Sequence, residues 1–290
     1  MTGSLRKEPP SIPSWQHISY KPMQTDDSSW LIFDETPKCE ASKMRLFCFH
    51  YAGAGGSIFQ DWSRALPDEV ELVAIQLPGR EKRCYEPLMS NIEDINLVLA
   101  QELSPFLSKP FAFMGHSMGA LIAFDLIRLL RQQELGQPQF LMVSGFDAPQ
   151  LRPKESSNMH QLPDDEFAQA IRDYNGIPQV IAQNEELFEL LLPRLRSDIK
   201  LGETYIYKDE EPLDCRIIAL YSTEDSFVSK SGMYSWQEQT KGEFELYTFP
   251  GDHFFLHSAE ELVLNTICTE LQRYIKANDN CSTKVALQKS

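Results

Sequence analysis

No uninterrupted apolar stretch of this chain approaches the roughly 18 residues that a membrane-spanning helix needs, and the polar, proline-bearing residues 1–13 hold no apolar core of the kind a secretory signal requires. Basic residues are scarce. Twenty-seven Lys and Arg stand against 42 Asp and Glu, a net charge of −15 that repels phosphate backbones and argues against a nucleic-acid partner. The six cysteines (Cys39, Cys48, Cys84, Cys215, Cys268 and Cys281) have no C-x-x-C spacing, and Cys48 and Cys215 fall in expected core strands. They read as buried thiols of a reducing compartment, not as a metal or disulfide framework. No internal repeat is found. These absences predict a cytoplasmic protein without membrane or metal, and a chain of 290 residues, 42% apolar, can bury a large core in one α/β domain.

What is present begins with Gly115-His116-Ser117-Met118-Gly119. This G-x-S-x-G pentapeptide lies between a short apolar run at 110–114 (PFAFM) and an apolar helical pattern at 118–131, the strand-turn-helix of a nucleophile elbow. Ser117 is therefore the predicted nucleophile, and the flanking glycines let strand and helix approach without a Cβ clash. A serine hydroxyl is a weak nucleophile by itself, so a general base and an acid are expected downstream in the order Ser, Asp/Glu, His. His253 follows the apolar run 244–249 in a loop just ahead of a helix, and is the predicted base. The other histidines fit less well: His17 lies in a proline-rich leader, His50 precedes Ser117, His116 is inside the elbow, His160 is in a polar loop and His257 adjoins a helix. For the acid, Asp225 in the loop leaving the β-branched run 215–221 (CRIIALY) is preferred. Asp147, after the run 140–144, stays a competitor, and the adjacent Glu224 should point elsewhere.

Acyl chemistry at a serine also needs oxyanion donors. Met118, directly after the nucleophile, supplies one backbone N–H. The second is expected from the loop Tyr51-Ala52-Gly53-Ala54-Gly55-Gly56, whose glycines let amides turn inward. That loop lacks the G-x-G-x-x-G spacing and the lysine of a phosphate loop, which speaks against a nucleotide site.

These residues, with the motifs LFCFHYAG at 46–53, LPGRE at 77–81, Glu186-Leu187, LPRLRSD at 192–198 and FPGDHFF at 249–255, resemble the type II thioesterases. Those are stand-alone editing hydrolases of nonribosomal peptide and polyketide synthesis within the α/β-hydrolase superfamily. The resemblance covers about residues 30 to 275. It implies an α/β-hydrolase fold, an acid at the place of Asp225, where fused thioesterase domains often use the place of Asp147, and an Ala52 N–H as second oxyanion donor. It further implies a thioester substrate on the phosphopantetheine arm of an acyl or peptidyl carrier protein, with no other cofactor. Two departures stand out: His50 replaces the usual proline, and Ala54 interrupts the glycine pair.

Along the chain, residues 1–28 hold Pro9, Pro10, Pro13 and Pro22 without sustained periodicity and read as a disordered or loosely attached arm. Strands expected at 45–50, 71–76, 111–114, 140–144, 216–221 and 244–249 alternate with helices, which predicts a mainly parallel sheet with helices on both faces in one hydrolase domain, 29–277. Between about 148 and 212 the alternation breaks into helical patterns at 164–173 and 184–200, read as an inserted helical lid; by resemblance, such a lid shapes the acyl pocket. Leu187, Leu190, Leu191 and Leu195 are expected to turn one face over the active site, as either a mobile or a fixed cover. The last helix should open on the capping-box pair Ser258 and Glu261 and direct Leu262, Ile267, Leu271 and Ile275 to the sheet, with 278–290 a frayed polar tail.

A carrier protein, acidic in this family, would be repelled by the net charge and must dock on a local basic or apolar patch. Arg80, Lys82 and Arg83 form the densest basic cluster, against an ordinary solvated loop or, for Arg80, a brace beside the site. A monomer is expected. Two rival functions stand beside carrier-thioester hydrolysis: a general carboxylesterase or acyltransferase on the same scaffold, and a carrier-binding module with a vestigial triad.

Overall fold

A computed structural model describes residues 29–33, 42–152, 158–173, 177, 181 and 183–288, the last nine as backbone alone. The expected arm at 1–28, Cys39 and the Cys281 side chain lie outside the described residues. Seven strands form one sheet: β1 (Leu31–Phe33), β2 (Met44–Phe49), β3 (Val70–Ile75), β4 (Phe111–His116), β5 (Phe140–Ser144), β6 (Arg216–Ser222) and β7 (Phe244–Phe249), in the order β1-β3-β2-β4-β5-β6-β7. Every neighbouring pair is parallel except β1, which runs antiparallel along β3. β1 has no counterpart among the expected strands, because a three-residue LIF segment is too short to show a period.

The strands alternate strictly between two cores. Phe47, Phe49, Phe111, Phe113, Ile217 and Ala219 face one side, where α1 (Ile92–Leu103) and α2 (Met118–Gln132) pack. Met44, Leu46, Cys48, Ala112, Met114, Ile218 and Leu220 face the other, covered by Phe59, Trp62 and α7 (Glu260–Gln288). Both faces are therefore buried, as near-continuous apolar strands require. In α7 the inward residues are Val263, Ile267, Leu271 and Ile275, spaced at one helical row, while Leu262 is half exposed. The tail expected to fray is helical in its backbone to Gln288; among the described side chains Ile275 is the last buried one, and beyond it Asp279 pairs with Lys43 at 2.7 Å.

The segment after β5 holds α3 (Asp164–Asp173) and α4 (Glu185–Thr204), and short helices α5 (Lys230–Tyr234) and α6 (Phe255–Ser258) follow β6 and β7. Asn184 caps α4 by accepting the Leu187 N–H. α3 and α4 build their own small core of Phe167, Ile171, Phe188, Leu191 and Leu195. Of the four leucines expected on one face, Leu191 and Leu195 are buried there, whereas Leu187 and Leu190 are exposed. Among the described residues no helix is long and apolar enough to cross a membrane.

Because β2 and β4 to β7 run the same way, the loops leaving their carboxyl ends share one edge of the sheet, where ligands gather in open α/β folds. Phe113 is central to the support beneath that edge, fully buried against Phe47, Phe49 and Phe111 at ring separations of 5.7, 5.1 and 5.4 Å. Phe113→Ala is expected to lower unfolding free energy by about 3–5 kcal/mol, since three rings lose a partner and cannot collapse onto alanine. Urea denaturation followed by far-UV circular dichroism measures it.

Candidate active site

The elbow is a point where three backbone segments meet without room for a β-carbon. A Cβ on Gly115 would sit 2.3 Å from the Gly119 carbonyl oxygen, and one on Gly119 would sit 2.2 Å from the carbonyl oxygen of Phe49. Ser117, between them, takes φ 53° and ψ −122°, a conformation unfavourable for any residue with a side chain. It persists because its N–H donates to the Ser144 carbonyl at 2.7 Å and its own carbonyl accepts from Ala120 at 2.9 Å. The turn lifts Ser117 from the end of β4 onto the start of α2.

The loops after β6 and β7 are laced together before they reach the elbow. Thr223 donates to the Phe249 carbonyl and Glu224 to the Gly251 carbonyl, both at 3.0 Å, and the Ser222 hydroxyl also reaches Gly251. This brings Asp225 to His253: Nδ1 of the imidazole is 2.8 Å from Oδ2 of a carboxylate whose side chain is wholly buried. The other oxygen, Oδ1, accepts the Phe227 N–H at 2.8 Å. With Nδ1–H directed at the carboxylate, Nε2 is left as the proton acceptor. The ring itself lies beside the elbow. It is 5.0 Å from the His116 ring, its Cε1 comes 3.3 Å from where a Gly145 Cβ would stand, and Phe227 packs on it at 4.7 Å.

Asp147, the competing acid, has another partner. It accepts the Ser229 N–H at 3.1 Å and presses on Gly232, where a Cβ would come 2.1 Å from its carboxylate. Its carboxyl is pushed up from the usual range, by partial burial first and by the nearby Asp225 charge in addition. It braces the start of α5; among the described residues no hydrogen bond joins it to His253.

The two expected oxyanion donors also come from converging elements. Met118 is the first residue of α2, whose amide belongs to the N–H groups a helix leaves without an internal acceptor. Ala52 lies in the turn after β2, and the contact of Gly119 with Phe49 and His50 sets that turn directly against the start of α2. His50, in place of a proline, is fully buried with Nδ1 2.9 Å from the Tyr51 carbonyl, and burial, reinforced by the Arg80 charge, lowers its pKa to about 3. It fills space as a neutral ring.

The basic cluster does not form a docking surface. Arg80 is wholly buried in a two-pronged pair with Asp198, at 2.9 Å on each arm. Arg83 is buried as well, clamped on Glu86 at 2.7 and 2.6 Å and stacked over Trp30. Lys82 is left exposed alone. The brace reading of Arg80 is the one that holds, because a guanidinium that can satisfy its donors on a carboxylate and carbonyls inside the fold is not available to a partner.

Sequence reasoning passed over three further groups here. His116 is buried with Nδ1 2.8 Å from the Ser144 hydroxyl, and burial holds it well below the ordinary histidine range. Tyr51 reaches His257 at 2.9 Å. Asp198 lies within the LPRLRSD motif, but its partner is 118 residues away, a separation no local period reveals. Among the described residues no group of three or more His, Cys, Asp or Glu is arranged to hold a metal ion.

Residues 44–271 match the family model described as a thioesterase domain. The chain belongs to the thioesterase family. Gramicidin S biosynthesis protein GrsT of Aneurinibacillus migulanus is 44% identical to this thioesterase, over 80% of this chain and 90% of that protein. Among solved structures, the thioesterase RedJ from the prodiginine pathway of Streptomyces coelicolor superimposes with a TM-score of 0.74 at 34% identity, covering 80% of this chain and 87% of that one. The type II thioesterase BorB from the borrelidin biosynthetic cluster gives 0.74 at 29%, covering 86% and 98%. The α/β-hydrolase fold and the resemblance to type II thioesterases are thus shown over 80% or more of the chain.

The geometry around the two aspartates ranks them. Asp225→Asn is expected to lower kcat by on the order of 10³- to 10⁴-fold by leaving His253 in the wrong tautomer, and Asp147→Asn by less than about tenfold. Steady-state kinetics of the purified variants tests this, and the reverse order would move the acid to the loop after β5. The buried histidines set a pH dependence. His50 has a folded pKa lowered to about 3, so the unfolded chain binds the extra proton and this contribution to stability is present above about pH 6.5 and lost as pH falls towards 3. His50→Asn is expected to flatten the drop in urea midpoint between about pH 7 and 5.5, where most carboxylates stay ionised.

Proposed function

We propose that this protein hydrolyses acyl thioesters held on the phosphopantetheine arm of an acyl or peptidyl carrier protein, editing or releasing acyl chains in nonribosomal peptide or polyketide synthesis. The observation that carries the reading is the buried Asp225–His253 pair delivered beside the strained Ser117 turn. Nothing in that pair selects a thioester over an oxygen ester. The choice rests on membership of the thioesterase family, and the carrier-bound arm on relatives named for gramicidin S, prodiginine and borrelidin pathways.

In the proposed reaction His253 Nε2 takes the Ser117 proton as the serine oxygen attacks the thioester carbonyl. The carbonyl oxygen becomes an oxyanion facing the Ala52 and Met118 amides, and Asp225 stabilises the imidazolium. Collapse breaks the carbon–sulfur bond, and His253 returns the proton to the departing thiolate. Water then attacks the acyl-serine with the same base, releasing a carboxylic acid and restoring Ser117. The steps combine nucleophilic, acid–base and electrostatic catalysis by groups of the chain itself, so no metal or cofactor beyond the substrate's own arm is invoked. A monomer acting in the cytoplasm is part of the same proposal.

Ser117→Ala is expected to abolish turnover with the fold intact, because the replaced atom is a single hydroxyl in a loop. Wild-type protein assayed on a panel of acyl and aminoacyl carrier proteins should show kcat/KM at least about tenfold above that for p-nitrophenyl esters, since contacts remote from the reacting carbonyl add transition-state binding. Preference for the simple ester, or acyl transfer to an amine or alcohol in the product analysis, would favour the carboxylesterase or acyltransferase. Failure of Ser117 to react with a fluorophosphonate probe would favour a binding module.

A further inference from the structure

The turn that carries Ala52 is held from outside the sheet. Asp198, on the second half of α4, is wholly buried, and its Oδ2 accepts the Gly53 N–H at 2.8 Å. The same oxygen and its neighbour receive the two arms of Arg80, whose Nη1 also donates to the Ala54 carbonyl at 2.9 Å. Arg194, one helical turn before Asp198, reaches the carbonyls of Gly53 and Gly79 at 3.3 Å. Leu195 lies over Gly53, where a Cβ would stand 2.6 Å from its Cδ2 and where φ is +80°, so the turn is packed as well as bonded. On the other side of Ala52, Tyr51 is tied to His257 at 2.9 Å and accepts the Ala54 N–H at 3.2 Å.

Ala52 is thus flanked by residues that are each pinned, and the pins on its carboxyl side come from α4 and from Arg80 in the loop after β3. We propose that Asp198 is a positioning residue for acyl transfer: with Arg80, it holds the Gly53–Ala54 backbone so that the preceding Ala52 N–H faces the oxyanion. The second half of α4 is then a fixed strut of the oxyanion hole and not part of a moving cover. A donor must already be aimed when charge develops, because a donor that reorients during the reaction gives back much of its stabilisation. A carboxylate suits the post: one oxygen takes a backbone N–H and a guanidinium arm together, and the pair is shielded from water that would otherwise compete for both. His50, the buried neutral ring beside Arg80, offers the carboxylate no second cation.

The inference rests on the thioesterase reading above, and its test separates the two. Asp198→Asn keeps the side-chain shape but removes the charge. Losing one partner of a buried ion pair destabilises a fold, so a second variant, Arg80→Met with Asp198→Leu, removes both charges and fills the space with apolar atoms. For each, kcat and KM would be measured on a small acyl-pantetheine thioester, together with the inhibition constant of a trifluoromethyl ketone analogue, whose adduct with Ser117 carries the tetrahedral oxyanion, and the melting temperature. A positioning role predicts kcat lower by on the order of 10- to 100-fold, KM within about threefold, and analogue binding weakened in parallel, also in the double variant with near wild-type melting. A folded variant with undiminished kcat, or one in which KM alone rises, overturns the inference. Wild-type protein inert towards every acyl thioester would instead overturn the reading of the function.

Discussion

The close approach of backbones at Gly115, Ser117 and Gly119 is the constraint on which the site depends. With Gly119 against the Phe49 carbonyl and Gly115 against Gly119, the ends of β2 and β4 and the start of α2 occupy one small volume. The strain at Ser117 is sustained by this crowding, since the surrounding sheet and helix leave the turn no relaxed alternative. The same contact places the Ala52 turn next to the helix N-terminus, so the proposed nucleophile and oxyanion donors are organised by a single packing arrangement. Beneath it the aromatic row Phe47, Phe49, Phe111 and Phe113 gives the edge a rigid base.

Around this point, each loop that brings chemistry is fixed by a partner distant in the chain. The loops after β6 and β7 are joined to each other through Thr223, Glu224 and Ser222 before Asp225 meets His253. The turn after β2 is held by α4 through Asp198 and by the segment after β7 through the Tyr51–His257 contact. The helical segment between β5 and β6 is therefore divided in its physical character. Its C-terminal half is bonded into the hydrolase core, while α3 and the first half of α4 rest on a small core of their own, with Leu187 and Leu190 left exposed beyond it.

Charge is distributed in keeping with this plan. The excess of acidic residues lies largely outside the site, whereas the carboxylates Asp198 and Asp225 within it are buried and each has a partner, Arg80 for Asp198 and the His253 imidazole for Asp225. Buried charges are costly unless matched by a partner and by hydrogen bonds to their remaining atoms, and each of these carboxylates also accepts a backbone N–H. The histidines His50 and His116, which have no such carboxylate, are held neutral by burial.

The sequence by itself determined the strands from β2 to β7, α2, α3 and the elbow, because each is encoded by local apolar period or by a motif whose glycines have one steric use. It also ranked Asp225 over Asp147, and the structure brings Asp225 to His253. What tertiary structure decided was every role that depends on a partner far along the chain. Arg83 reads as surface charge from its spacing and Arg80 as either surface charge or a brace; both are buried, because Asp198 and Glu86 satisfy them inside the fold. Leu262 and Val263 are equivalent to a reader of composition, and the docking angle of α7 alone selected Val263 for the core. The three residues of β1 carry no period, and their place comes from the open edge of β3. Asp147 and Asp225 both follow strands and are both acidic; Asp147 went to Ser229 and Gly232 because loop packing, which has no sequence period, put those groups against it.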